Sequence, residues 1–186
     1  MTTEELPPPT SSLGGFITAL IIVMAAASLL VLVMQPDGAQ HQRQPGAGLI
    51  GKPMPELVVE GWINGPGPTN EELKGKIVLI DAWAYWCGPC RKRAPELIQL
   101  HADWSGKGVV FLGLTSEGGD KLELSKRFVS AVNFHWPQGY GAGLPLQKLE
   151  AHFIPQHWII DQTGHIVWDA TSDEQPEDVL RRLTGG

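Results

Sequence analysis

Cys87 and Cys90 are the two cysteines of the sequence, and they form a Cys-x-x-Cys pair. Two intervening residues allow one turn of helix to bring both sulfurs within bonding distance. Such a pair exchanges disulfides, because one thiolate attacks a partner's disulfide and the second thiol resolves the mixed disulfide. Two cysteines are too few for a four-thiolate zinc site or for a scaffold held by several disulfides. The pair therefore favours redox chemistry by the protein's own dithiol, with no added cofactor.

The elements around the pair predict which sulfur reacts. Residues 76–83 form a continuous apolar run typical of a buried strand, and residues 89–104 read as a helix. A cysteine at a helix N-terminus faces unpaired N–H groups and the positive end of the helix dipole, which stabilise a thiolate. The pKa of that thiol should fall below about 8.5. We therefore expect Cys87 to be the exposed nucleophile and Cys90 the resolving thiol, with Pro89 in the first helical turn.

Two other uses of the cysteine pair stay open at this point. The pair would form half of a metal site if histidines supplied the remaining ligands. The histidines available for this are His101, His135, His152, His157 and His165. A purely structural disulfide is the other possibility, although so short a loop gains little chain-entropy stabilisation.

The chain from residue 49 to residue 186 is long enough for a core of its own. Strands are predicted at 57–59, 76–83, 109–114, 157–161 and 165–169, and helices at 89–104, 121–132 and 177–183. The last two strands flank Gln162-Thr163-Gly164, which indicates a tight hairpin. This order predicts an α/β fold with a central mixed β-sheet flanked by helices. The net charge of −6 argues against nucleic acid as a partner.

The N-terminal region has the composition of a membrane segment. Residues 13–34 are almost wholly apolar, and no charged residue occurs from Leu6 to Pro36. As a helix, such a stretch would span about 33 Å, which matches a hydrocarbon core of about 30 Å. The region before it has no basic residue, so an uncleaved anchor is favoured over a secretory signal. We predict a short tail at 1–12, a transmembrane anchor helix at 13–34 and a flexible tether at 35–48.

Three segments resemble the thioredoxin superfamily, and more narrowly its membrane-anchored TlpA/ResA-like thiol–disulfide oxidoreductases. Asp81-Ala82-Trp83-Ala84-Tyr85-Trp86-Cys87-Gly88-Pro89-Cys90 resembles the family's strand-to-active-site segment. Ile154-Pro155-Gln156-His157-Trp158-Ile159-Ile160-Asp161 is similar to its cis-proline segment. Pro95 stands where the family's active-site helix kinks. The resemblance covers residues 49–183 and implies a thioredoxin-like fold.

The resemblance also implies a role for each site residue. Asp81 would lie buried behind the cysteines and exchange a proton with Cys90, because burial makes a carboxyl group hold its proton more tightly. Pro155 would adopt the cis form and place the Ile154 backbone against the substrate chain. The implied substrate-binding residues are Trp86, Gly88, Pro89, Ile154 and Pro155.

Two positions depart from the family pattern. Gln156-His157 stands where Thr-Thr is common, and Tyr85 replaces a small or acidic residue. Both positions lie near the implied substrate groove, so partner choice does not carry over from the family. His157 has two interpretations, a residue that tunes the thiolate or a strand residue that faces solvent, and we expect the second.

The Gly88-Pro89 pair resembles reducing thioredoxins, whose potential is about −270 mV, and not DsbA at about −120 mV. The expected function is therefore reduction of protein disulfides. The family resemblance further implies electrons from a membrane thiol donor and cytochrome c maturation as one typical task. The family's usual setting implies a single-pass protein of the bacterial inner membrane whose catalytic domain faces the periplasm, and we expect a monomer. Arg43 and Lys52 after the anchor weakly favour the opposite orientation.

Two rival functions use the same fold. A peroxiredoxin-like thiol peroxidase would need Thr or Ser three residues before its reactive cysteine, where this chain has Ala84. A copper-handling assembly factor would use Cys-x-x-x-Cys spacing with a distant histidine. Both are disfavoured by these residues, and both remain alternatives to the disulfide reductase.

Overall fold

The computed structural model describes residues 48–185 together with Ile22 and Met24. The predicted tail (1–12), anchor (13–34) and tether (35–48) therefore lie outside the described residues, apart from Gly48, Ile22 and Met24. No helix within the described part of the chain is long and apolar enough to cross a membrane. The described domain belongs to a compact unit that spans residues 43–186.

Within residues 48–185, six strands form one mixed sheet. They are β1 (Gly61–Ile63), β2 (Ile77–Ala82), β3 (Val109–Leu114), β4 (Gln138–Tyr140), β5 (Gln156–Ile160) and β6 (Ile166–Asp169). The strand order is β1-β4-β3-β2-β5-β6. β2, β3 and β4 run parallel, whereas β1, β5 and β6 are antiparallel to their neighbours. The predicted central mixed sheet is confirmed.

Four α-helices connect or flank these strands in the same region. They are α1 (Gly88–Trp104), α2 (Leu122–Ala131), α3 (Gly143–Lys148) and α4 (Pro176–Thr184). Two short 3₁₀ turns occur at Ser105–Lys107 and Gly119–Lys121. α1, α2 and α4 confirm the predicted helices, and each observed end lies within one residue of the predicted end. Pro95 lies inside α1, at the place that the resemblance implied.

The alternation of β2 divides the core into two layers. Leu79 and Trp83 belong to the cluster that contains residues of α1, α2 and α4. Val78 and Ile80 belong to the cluster that contains residues of α3. Asp81 alternates with Leu79 and Trp83, so it lies on the face of the sheet that α1 covers.

The predicted strand at 57–59 is wrong, because the hydrogen bonds of that segment go to a side chain and not to another strand. The Leu57 N–H donates to Asn70 Oδ1 at 2.8 Å, and Asn70 Nδ2 donates back to the Leu57 carbonyl at 3.5 Å. The first strand is instead β1, where Gly61 and Trp62 pair with β4. Neither β1, β4 nor α3 was predicted, since each is short and contains glycine.

Candidate active site

Cys87 is the N-cap of α1, as the spacing predicted. The Cys90 N–H donates to Cys87 Sγ at 3.0 Å, and Pro89 occupies the first turn. The first turn holds no acidic residue that would offset the positive end of the helix dipole. The two cysteines form a disulfide with their Cα atoms 5.3 Å apart. The local backbone is therefore arranged to stabilise negative charge on the Cys87 sulfur.

The expectation that Cys87 is exposed is wrong for this oxidised state. Cys87 is 3% exposed and Cys90 is 5% exposed. The reason is that the Cys87 sulfur is bonded to Cys90 and packs in the core cluster that includes Leu79 and Trp83. A partner therefore meets the residues around the disulfide first.

Those surrounding residues are exposed. The Trp86 side chain is 63% exposed, and Gly88 and Pro89 are also exposed. Trp86 Nε1 donates to Glu117 Oε1 at 2.9 Å, which fixes the indole beside the cysteine pair. The predicted placement of Trp86, Gly88 and Pro89 at the surface around the sulfurs agrees with the structure, whereas the Glu117 contact had no signal in the sequence.

A groove of about 430 Å³ opens next to this surface. Trp83 and Ala84 line it from the loop before Cys87, and α3 contributes Leu146. The Ile154–Pro155 peptide bond is cis, as the resemblance implied, and Ile154 also lines the groove. The structure thus brings the two predicted segments, around Cys87 and around Pro155, to one apolar cleft.

Asp81 is buried, with 3% of its surface exposed. It lies near the end of β2, on the sheet face that α1 covers and in the layer that contains Cys90. The predicted burial of this carboxyl group on the cysteine side of the sheet is therefore confirmed.

The expected exposure of His157 is wrong. His157 is 3% exposed and faces Asp81 across the β2–β5 pairing. Its Nε2 atom lies 2.9 Å from Asp81 Oδ1. β5 is buried on both faces, because Ile159 packs in one core cluster and Trp158 and Ile160 pack in the other. The continuous apolar run Trp158-Ile159-Ile160 is the signal that should have indicated burial of this strand.

The structure offers no support for a metal site among the described residues. Within residues 48–185, no three His, Cys, Asp or Glu side chains are grouped so that they could hold a metal ion. The two cysteines are bonded to each other and not to a third ligand.

Comparison with known proteins identifies the family. The AhpC/TSA family matches residues 50–169, which is well over half of the chain. The chain belongs to the AhpC/TSA family. This member is 30% identical over 143 residues to the thiol-disulfide oxidoreductase ResA of Bacillus anthracis, a match that covers 73% of this chain and 79% of ResA.

A second relative is much longer than this AhpC/TSA member. Protein DipZ of Mycobacterium bovis is 36% identical over 144 residues, covering 67% of this chain but 19% of DipZ. Among solved structures, the putative thiol:disulfide interchange protein DsbE of Chlorobium tepidum superposes with a TM-score of 0.61 at 20% identity, over 74% of this chain and 98% of that one. A thiol-disulfide isomerase of Corynebacterium glutamicum gives 0.61 at 22% identity, over 72% and 97%.

The superpositions establish the thioredoxin-like fold, and the named relatives establish the enzyme class. The chain is a thiol–disulfide oxidoreductase of the ResA type with a Cys-x-x-Cys pair.

Proposed function

We propose that the chain reduces disulfides of partner proteins through Cys87 and Cys90. The observation that carries this proposal is the position of Cys87 as the N-cap of α1, where the Cys90 N–H donates to its sulfur. The apolar groove beside it, lined by Trp86 and Ile154, offers a place for the polypeptide that flanks a target disulfide.

The reaction proceeds in two exchanges from the reduced enzyme. The Cys87 thiolate attacks one sulfur of the partner's disulfide; the partner's other sulfur leaves as a thiolate and takes a proton from water. Cys90 then loses its proton to Asp81 and attacks the Cys87 sulfur, which forms the Cys87–Cys90 bond and releases the partner's second thiolate. Two electrons pass from the enzyme dithiol to the partner, and the enzyme ends in the disulfide form that the structure holds.

The surface around Cys87 suits an extended, apolar partner segment. Trp86 and Phe153 line the groove and are large apolar side chains that stay exposed, at 63% and 43%. Apolar side chains that remain exposed beside a reactive centre mark a docking surface. In our proposal the Ile154 backbone pairs with this segment and aligns its disulfide with Cys87.

We further propose that residues 13–34 anchor the enzyme in the bacterial inner membrane with residues 49–186 on the periplasmic side. The support is the uncharged, apolar composition of that segment. In this setting disulfides form readily, so a tethered reductant that draws electrons from a membrane thiol donor has a task, and keeping cytochrome c precursors reduced for haem attachment is one. Alkaline phosphatase fused after Gly186 should be active; activity of a cytoplasmic reporter alone would overturn this orientation.

Ala84 argues against the alternative function as a thiol peroxidase. This residue stands three positions before Cys87, and its methyl side chain has no hydroxyl to offer a bound peroxide. A purified full chain that consumes peroxide with a dithiol would reverse this conclusion.

The test of the proposed function is capture of partners by the full chain. A Cys90→Ala variant should accumulate mixed disulfides through Cys87, because the resolving thiol is absent. The matched control is Cys87→Ala, which retains Cys90 but lacks the attacking sulfur. Equal capture by both variants, or failure of the native chain to reduce insulin, would contradict the proposal.

A further inference from the structure

We propose that His157 is a positioning residue for the resolving exchange: its Nε2–H donates to Asp81 and holds that carboxylate ready to accept the Cys90 proton. This inference rests on the proposed function, since it concerns the second exchange at the same dithiol.

The two side chains are placed for this contact by the sheet itself. Asp81 and His157 stand opposite each other in the antiparallel pairing of β2 and β5. His157 Nε2 lies 2.9 Å from Asp81 Oδ1, within hydrogen-bonding distance, and each side chain is 4% exposed. Both lie on the face that α1 covers, with Cys90 in the same layer.

The second ring nitrogen identifies the tautomer. His157 Nδ1 is buried and has no hydrogen-bond partner among the described residues. A proton on Nδ1 would bury an unpaired N–H, which costs free energy, whereas a lone pair there costs less. The neutral ring with its proton on Nε2 avoids this cost and points its donor at Asp81. His157 is therefore a fixed donor to the carboxylate.

The resolving exchange requires Asp81 to be ionised, and the hydrogen bond from His157 favours that form. A carboxyl group buried without a donor favours its protonated form, and a hydrogen bond to the carboxylate opposes that effect. Only the carboxylate can accept the proton of Cys90. With His157 in place, the proton moves from Cys90 Sγ to Asp81, the Cys87–Cys90 bond forms, and the partner sulfur leaves from Cys87.

Other charged groups share a small cavity with the imidazole. His157 and Trp168 line this cavity of about 170 Å³, together with Arg93 and Glu96 of α1 and Glu177 of α4. Arg93 Nε lies 3.8 Å from Glu96 Oε2, and both side chains reach solvent. Water screens these groups, so Asp81 is the charged partner that the ring contacts directly. The cavity also gives a substituted side chain room to settle.

The experiment separates the two exchanges with an aromatic disulfide, dithiobis-nitrobenzoate, mixed with the reduced full chain in detergent. The first coloured thiolate released reports attack by Cys87, and the second reports resolution by Cys90. His157→Leu has a similar volume and no donor, whereas His157→Gln keeps an N–H donor near the Nε2 position. Both release rates are followed across pH for the native chain and the two variants.

We expect His157→Leu to slow the second release at least about tenfold at neutral pH, a part of the roughly 10²–10⁴-fold that a positioned proton acceptor contributes. Its rate should recover only at higher pH, while the first release stays unchanged. His157→Gln should keep the native second rate within a few-fold. Nitrogen NMR of the native chain should show the proton of His157 on Nε2, a readout that remains if a variant fails to fold.

Native pH profiles in both variants, equal slowing in both, or a proton on Nδ1 would overturn the role of His157. Absence of any second release from the native chain would instead contradict the proposed function, so the two failures are distinguishable.

Discussion

Gly88→Asp should make Cys87 less reactive while leaving the fold intact. Gly88 is the first residue of α1 and is exposed, and a Cβ built on it meets no atom within 4 Å. The native first turn carries no acidic residue. A carboxylate placed there lies beside the Cys87 sulfur and opposes its negative charge.

The size of the effect follows from Coulomb's law. Two like charges about 6 Å apart at an effective dielectric constant of about 40 repel by about 1.4 kcal/mol, which corresponds to about one pKa unit. The thiolate fraction then falls up to about tenfold at a pH below the pKa. A more basic thiolate is also a better nucleophile by about threefold, so the net loss of rate is about three- to fourfold.

The assay is the alkylation rate of Cys87 against pH, in a Cys90→Ala background that leaves one thiol. Gly88→Asn is the matched control, because it has the same shape without the charge. An aspartate in the first turn also favours the helix dipole, so the free energy of unfolding should not fall. Equal pKa values for the Asp and Asn variants would refute the argument that local electrostatics set the reactivity of Cys87.

Three further predictions concern the site and the core. Cys87→Ala should abolish insulin reduction whereas Asp81→Asn should only slow it; equal loss would mean that Asp81 does more than move protons. Phe128→Ala removes a ring whose centroid lies 4.9 Å from that of Trp83 in a stacked arrangement. Denaturant titration should show that the free energy of unfolding falls by about 3–5 kcal/mol. A fall below about 1 kcal/mol would contradict this packing. Burial, with repulsion from His135, lowers the pKa of His101 from 6.5, so the unfolded chain binds that proton more tightly. The native chain should therefore lose stability as pH falls through about 6.5, unlike His101→Phe, and parallel stability curves would contradict this.

The main elements were predictable because their periodicity is strong. β2 and β3 are continuous apolar runs, and α1 and α2 carry apolar residues at helical spacing. The hairpin followed from Gln162-Thr163-Gly164, where Gly164 has a φ of 83°. β1 and β4 contain three residues each and are held by pairing with strands distant in the sequence, so no local pattern marks them.

Some features of the site were also predictable from the sequence, and others were not. The Cys87 cap was predictable, since it follows from a cysteine at the junction of a strand and a helix. Exposure of individual side chains was not predictable, because it depends on what packs against each face of a strand. His157 is a polar residue of the kind found at surfaces, yet it is buried against Asp81. The Trp86–Glu117 contact joins residues 31 positions apart and has no local signature.

The central claim is that the start of α1 stabilises a thiolate at Cys87. The measurement that tests it most directly is an ultraviolet titration of the reduced full chain, which follows thiolate absorbance as pH rises, with Cys87→Ala as the control that identifies the signal. We expect the pKa of Cys87 to lie well below the ordinary thiol value of about 8.5. A thiol that ionises at or above that value would contradict it.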